Sequence, residues 1–245
     1  MKQQSVLKRS LLATAVLGVM APAPAMAADS PSLLGATLSG SAEAANYYLW
    51  RGSDESDSAG AISGSLDLEW NPGFYTGAWV SSATAELETN LYGGFAGEAN
   101  GFSYDVGAIQ YRFSRGGKAR AELDEDGELE DQEDRARKGA DFQEFYVLLG
   151  YGGFGIEGWF GFGEFGGTDE DVDDNYYALT YGYDRLGAVI GYADFDDDDW
   201  DYTHLDLSYE IYDGLTFTYT KIVDEETEGL RDTTGSLHVA YAFEF

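Results

Sequence analysis

The sequence predicts an all-β chain: an antiparallel transmembrane β-barrel of about 12 strands, preceded by a cleaved signal peptide. Three observations lead there. Residues 237–245 alternate strictly, with Leu237, Val239, Tyr241, Phe243 and Phe245 on one face and His238, Ala240, Ala242 and Glu244 on the other. An apolar face backed by a small or polar one suits a wall between hydrocarbon and a wet interior. Connections along the chain alternate between tight turns and long segments, and the acids gather in the long ones.

The amino-terminus comes first. Lys2, Lys8 and Arg9 form a basic start, 10–21 is a short apolar run, and Ala25-Met26-Ala27 is a small-x-small cleavage pattern. The apolar run is too short to span a bilayer as a helix, so 1–27 reads as a secretory signal peptide. Residues 28–245 then form one barrel domain, and removal of the leader takes the formal net charge from −31 to −34. No later segment approaches the roughly 18 apolar residues of a membrane helix. With no cysteine, disulfide staples and thiolate metal sites are excluded. Such negative charge argues against nucleic acid as a partner, because phosphates call for Lys and Arg.

The strands follow from the turns. Expected spans are 38–50, 60–70, 74–82, 87–98, 102–113, 142–151, 154–164, 175–184, 187–195, 200–211, 215–223 and 234–245. The alternation is clean where Ile62, Leu66, Leu68 and Trp70 oppose Ser63, Ser65, Asp67 and Glu69. It is clean again where Leu205, Leu207, Tyr209 and Ile211 oppose His204, Asp206, Ser208 and Glu210. In 102–113, Val106 and Ile109 disagree in phase, which implies a bulge or a misplaced boundary. Asn71-Pro72-Gly73, Ala99-Asn100-Gly101, Gly152-Gly153, Asp184-Arg185 and Tyr212-Asp213-Gly214 are tight turns. Segments 51–59, 83–86, 114–141, 165–174, 196–199 and 224–233 are the long connections. Short turns on one rim and long loops on the other is the asymmetry of outer-membrane barrels, with both termini at the periplasmic rim. A β-sandwich would share the alternation but has no reason to sort its loops by length and charge. Tyr47, Tyr48, Trp50, Trp70, Trp79, Trp159, Trp200 and Tyr212 fall near strand ends and read as an interfacial aromatic girdle.

The chain resembles the TorF-type porins of the proteobacterial outer membrane. The resemblance is carried by Asn46-Tyr47-Tyr48-Leu49-Trp50-Arg51-Gly52 and Ser56, then by 73–81 (GFYTGAWVS) and 88–94 (ETNLYGG). It continues through 101–107 (GFSYDVG), Tyr111 and Glu144-Phe145-Tyr146-Val147, and is vague beyond about residue 150. It implies a barrel and a pore, with no established substrate and no catalytic residue. The last strand is also similar to the closing strands of bacterial outer-membrane barrels, which end in Phe and use that segment as an assembly signal. Lipid, lipopolysaccharide and the barrel assembly machinery of a Gram-negative outer membrane are therefore the expected partners.

Two motifs could add chemistry. Glu122, Asp124, Asp126, Glu128 and Glu133, with Gly127 and Leu129, match the spacing of a calcium loop, so Ca²⁺ is the one candidate ion; no other cofactor is expected. Glu stands first where Asp is usual, and so acidic a run matches many templates. Arg115, Lys118, Arg120, Arg135, Arg137 and Lys138 flank the same acids, so this third outer loop could instead fold inward as a charged constriction, or stay outside as a solvated polyampholyte. Ser236 and His238 share a strand face, as do His204 and Ser208, but Ser236 and His238 have no third group nearby to orient them, and no enzyme activity is expected.

The lumen candidates are Asp67, Glu69, Glu157, His204, Asp206, Glu210 and Glu244, with Ser63, Ser65 and Ser208 beside them. An acidic lining concentrates cations and repels anions. The expected function is passive diffusion of small solutes with weak cation selectivity. The alternative is a closed, non-conducting barrel acting as a surface structural, adhesin or divalent-cation-binding protein.

Overall fold

Period-two alternation over 8 to 13 residues, broken by Gly, Asn and Asp, makes strands. The computed structural model describes residues 32–82, 87–114, 141–163, 172–196 and 198–245. It closes 12 antiparallel strands into a barrel. β1 is Ala36–Ala45, β2 Ala61–Trp70, β3 Phe74–Ser81 and β4 Leu87–Ala99. β5 is Phe102–Ser114, β6 Phe142–Tyr151, β7 Phe154–Phe162 and β8 Asn175–Tyr183. β9 is Leu186–Asp194, β10 Tyr202–Tyr212, β11 Leu215–Glu225 and β12 Ser236–Glu244. Each pairs with the next in sequence, and β12 returns to β1 with Ala240 opposite Ala45 and Glu244 opposite Ser41. Closure leaves no sheet edge.

The tight turns work as their residues require. Asn100 and Gly101 both have positive φ, 55° and 82°, the two-residue hairpin turn that matches strand twist. The signal peptide, the calcium-type loop and its flanking bases lie outside the described residues.

The outer surface is apolar. Ile62, Leu66, Phe102, Leu149, Phe154, Ile156, Leu179, Ile190, Leu207, Leu237 and Phe243 are all exposed. A continuous belt of this kind, on strands of the right length, fits the hydrocarbon of a bilayer. The inner surface is polar and aromatic.

Rings lie over glycines along the inner wall. Tyr75, Gly94, Gly107 and Tyr146 form one cross-strand row from β3 to β6. The two tyrosine hydroxyls meet above the two glycines, and Tyr75 also donates to Asp105 at 2.6 Å. In the next row Tyr92 crosses Gly77 to donate to Asp67. A β-carbon at Gly77 would stand 2.6 Å from the Tyr92 ring, so the missing side chain is what lets the ring lie flat.

The seam shows the same device. Phe245 and Gly40 exchange backbone hydrogen bonds at 3.0 Å each way. A β-carbon at Gly40 would stand 2.8 Å from both the Phe245 ring and the Ser65 carbonyl oxygen. Gly40→Val is expected to displace Phe245 and weaken the seam by about 1–3 kcal/mol. The folded band on unheated SDS gels should then convert to the unfolded one at lower temperature than wild type; an unchanged conversion temperature would count against this role for Gly40.

Three sequence expectations need correction. β5 carries no bulge: it pairs without interruption with β4 and β6, and Ile109 faces inward between Tyr92 and Glu144. The phase conflict arose because an apolar residue lines the lumen. The register shifts occur instead between β10 and β11, at Thr203/His204 and Glu210/Tyr212. The first strand ends at Ala45, and 46–60 turns into the barrel and not outward as a loop. Trp79 and Trp159 are inward-facing and buried, and Tyr47, Tyr48 and Trp50 belong to the inserted segment, so these five are not girdle residues. Trp200 and Tyr212 are exposed at opposite rims, as a girdle requires.

Candidate functional site

Segment 46–60 builds the site. Leu49–Trp50 pairs with Ser53–Asp54 as a miniature hairpin. Its two turn residues, Arg51 and Gly52, have φ of 48° and 81°, which strand twist favours and which glycine adopts freely. Ser56 Oγ accepts the Tyr48 N–H at 2.8 Å, and Asp54 accepts from Ser56 and Ser58. The hairpin is thus held by its own residues. Its base is fixed to β12 by Asn46, which donates to the Leu237 carbonyl and accepts the Val239 N–H. Tyr47 meets the Ser236 hydroxyl at 2.7 Å and lies edge-on to His238.

Arg51 is at the tip, and the barrel wall closes around it. One guanidinium nitrogen contacts both Glu144 carboxylate oxygens at 2.7 Å. Tyr111 donates to the same carboxylate at 2.9 Å. The guanidinium carbon lies 4.4 Å from the Trp50 ring centre, 4.6 Å from Tyr176 and 5.8 Å from Trp159. Only 4 % of Arg51 and 1 % of Glu144 are exposed, so this pair is desolvated and strong electrostatically. The tip backbone is held too: Tyr202 donates to the Arg51 carbonyl at 2.9 Å and Thr220 to the Gly52 carbonyl at 3.2 Å. The hairpin therefore reaches from its root between β1 and β2 to β6, β8, β10 and β11.

Behind the tip stands a chain of wall groups. Tyr176 meets His204 Nε2 at 2.9 Å, and His204 Nδ1 is 3.2 Å from Asp206 Oδ2. His204 and Asp206 are both buried. Gly52 and Gly191 each leave room for the His204 ring.

The expected lumen residues are on the inner face but not at one place. Asp67 is buried under Ser65 and Tyr92. Glu157 accepts the Trp159 indole N–H at 3.3 Å, close to the hairpin tip. His204 and Asp206 lie beneath the hairpin. Glu69, Glu210 and Glu244 line the turn rim; Glu210 caps the Gly214 N–H at 3.0 Å and Glu244 faces inward opposite Ser41. At the loop rim, burial pushes the Asp174 carboxyl above its ordinary value, against the Asp196 N–H that it accepts.

Arg51, Glu144, Tyr111, Trp159 and Tyr176 were not singled out for the lumen from alternation alone. The available signal was the Arg51-Gly52 pair between short apolar and polar dipeptides, a hairpin tip in the middle of an expected loop. Glu144 had a second one: it is an acid on the inner phase of a strand whose outer phase is Phe145, Val147 and Leu149.

A closed antiparallel barrel with an apolar belt, a polar interior and an inserted hairpin defines the class. Residues 26–228 match the family described as a bacterial protein of unknown function (Gcw_chp), and the chain belongs to it. No curated protein matches the sequence. Among solved structures it is similar to Acinetobacter baumannii OccAB4, with 13 % identity over 76 % of this chain and 54 % of that one, at a TM-score of 0.38. It is similar to outer membrane phospholipase A from Escherichia coli, with 10 % identity over 83 % and 91 % of the two chains, at 0.41. Pseudomonas aeruginosa OpdK, solved with vanillate, is similar at 12 % identity over 88 % and 67 %, at 0.38. The chain spans about half the length of the first of these. Its own strand pairing, from β1 round to β12 and back, defines the barrel.

Proposed function

We propose that the chain is a channel in the outer membrane of a Gram-negative bacterium, passing small solutes by diffusion with weak cation preference. The loop-side half of its lumen is closed by hairpin 46–60. The carrying observation is the Arg51–Glu144 contact: a hairpin rooted on one side of the barrel is clamped by a buried ion pair to the other. The apolar belt supports the membrane location. The TorF-type resemblance supports the porin class, and its residues include both Arg51 and Glu144.

Acids dominate the lining. Glu43, Asp67, Glu69, Asp105, Asp206 and Glu244 face inward in strand register, and Arg51 is already neutralised by Glu144. Reversal potentials in a planar bilayer should show cation preference, shrinking as salt rises from about 0.1 M to about 1 M and the screening length falls from about 10 Å to about 3 Å. Acidification should weaken the preference as well, with Asp174 losing its charge before an ordinary carboxylate does. Anion preference would overturn the reading.

The closed-barrel alternative gains from the same hairpin, because large side chains do meet across the lumen. Liposome swelling with small sugars separates the two. A channel swells faster once residues 49–54 are replaced by a short glycine linker; a structural barrel swells with neither form.

A further inference from the structure

The surroundings of Arg51 divide into what holds its charge and what delivers it. Apart from Trp50, which lies on the hairpin itself, the groups that hold the charge belong to the barrel wall: Glu144 on β6, Tyr111 on β5, Glu157 and Trp159 on β7, Tyr176 on β8. Each makes a hydrogen bond that does not involve Arg51. Tyr111 holds Glu144 at 2.9 Å, Trp159 holds Glu157 at 3.3 Å, and Tyr176 is fixed by His204 at 2.9 Å. None of these three bonds needs Arg51. Delivery is by a hairpin with its own internal hydrogen bonds, whose tip the wall grips through two backbone carbonyls. A site built on one part of a protein and filled by a separable part has the form of a binding site holding an internal competitor.

The chemistry of the site is specific. A carboxylate presents both oxygens to one nitrogen at 2.7 Å, and aromatic faces flank the charge-bearing carbon. Aromatic faces attract cations, and a flat, weakly hydrated guanidinium stacks on them better than a compact ammonium. With Arg51 withdrawn, Glu144 would be left buried and unpaired, so the empty cage favours a replacement cation. We propose that this cage is a binding site for solutes carrying a guanidinium or a comparable planar cation, and that Arg51 occupies it as a built-in competitor. The transport part of this inference rests on the channel reading; the binding part does not.

The test uses folded, full-length protein and methylguanidinium as probe, read by calorimetry and by the fluorescence of Trp50 and Trp159. Arg51→Ala should bind methylguanidinium at least tenfold more tightly than wild type. Adding Glu144→Gln should remove that gain, and methylammonium should bind the Arg51→Ala form at least several-fold more weakly. Arg51→Gln, with an uncharged polar tip about two atoms shorter, serves if the alanine form does not fold. Equal binding by wild type and the Arg51 variants, insensitivity to Glu144→Gln, or equal binding of methylammonium would each overturn the cage. Liposome uptake of agmatine against cadaverine, cations that differ in one head group, reads the transport part. Faster agmatine uptake supports it. Binding without uptake of either leaves the cage standing and overturns the channel, while equal uptake without binding does the reverse.

Discussion

Glu144→Ala is expected to release the lumen hairpin. The substitution leaves the Arg51 guanidinium almost completely buried without its hydrogen-bonded counter-charge. Breaking one side of a buried pair costs about 3–5 kcal/mol, more than the two backbone hydrogen bonds from Tyr202 and Thr220 can offset at about 1 kcal/mol each. The cheaper outcome is for Arg51 to leave the wall and recover its hydration. Single-channel conductance should rise, and protease should cut within 46–60 while leaving the strands intact. Double-mutant analysis gives the sharper result. Arg51→Ala with Glu144→Ala should cost much less than the sum of the single changes, because no unpaired charge remains. Additive losses would mean that the two residues act separately.

Gly52→Ala should have the second largest effect, and by a different route. Gly52 has φ of 81°, where a β-carbon costs about 1–2 kcal/mol. That β-carbon would also stand 2.6 Å from His204 Nδ1, on a buried ring held by Tyr176. Overpacking against a fixed group adds about 1–3 kcal/mol. The hairpin tip should be pushed out of its seat with the barrel still closed, so conductance rises while the folded band on unheated gels persists. Gly60→Ala is the control. Its φ is ordinary and its nearest neighbour would be the Ala45 carbonyl oxygen at 3.5 Å, so conductance should stay at the wild-type level. Equal behaviour of the two variants would show that the seat tolerates a methyl group.

The barrel was legible in the sequence because its physics is local. A period of two with an apolar outer phase is written residue by residue, as in Leu205–Ile211 and Leu237–Phe245, and Gly and Asn mark the turns. Even the seam could be anticipated, since β12 shows the membrane alternation through to Phe245. The interior was less legible because it reverses the usual rule. In a barrel the large rings can face inward, as Trp79, Trp159 and Ile109 do, and glycines make room for others such as Tyr75, Tyr92 and Tyr146. A reading that assigns rings and branched chains to lipid misplaces them. The hairpin escaped for another reason. Its contacts join residues 93, 151 and 168 positions apart, and no window of sequence holds both Arg51 and Glu144, Tyr202 or Thr220. Asp67, Glu157, His204 and Asp206 were found on the inner face by alternation, but alternation cannot say which of them the hairpin would cover.

The root of the hairpin has a consequence for how the chain comes together. Asn46 bonds to Leu237 and Val239 across 191 and 193 positions, beside the strands that seal the ring. The wall that receives Arg51 comes from β5 to β8, and the seats for its carbonyls from β10 and β11. A sheet short of β12 offers no root for the hairpin and does not carry β1 round to face the socket, and contacts this distant in sequence are costly to close early. The hairpin is therefore expected to dock as the last strand meets the first. Arg51 in its socket is in effect a receipt for a finished barrel, and a chain stalled one strand short would carry that segment loose.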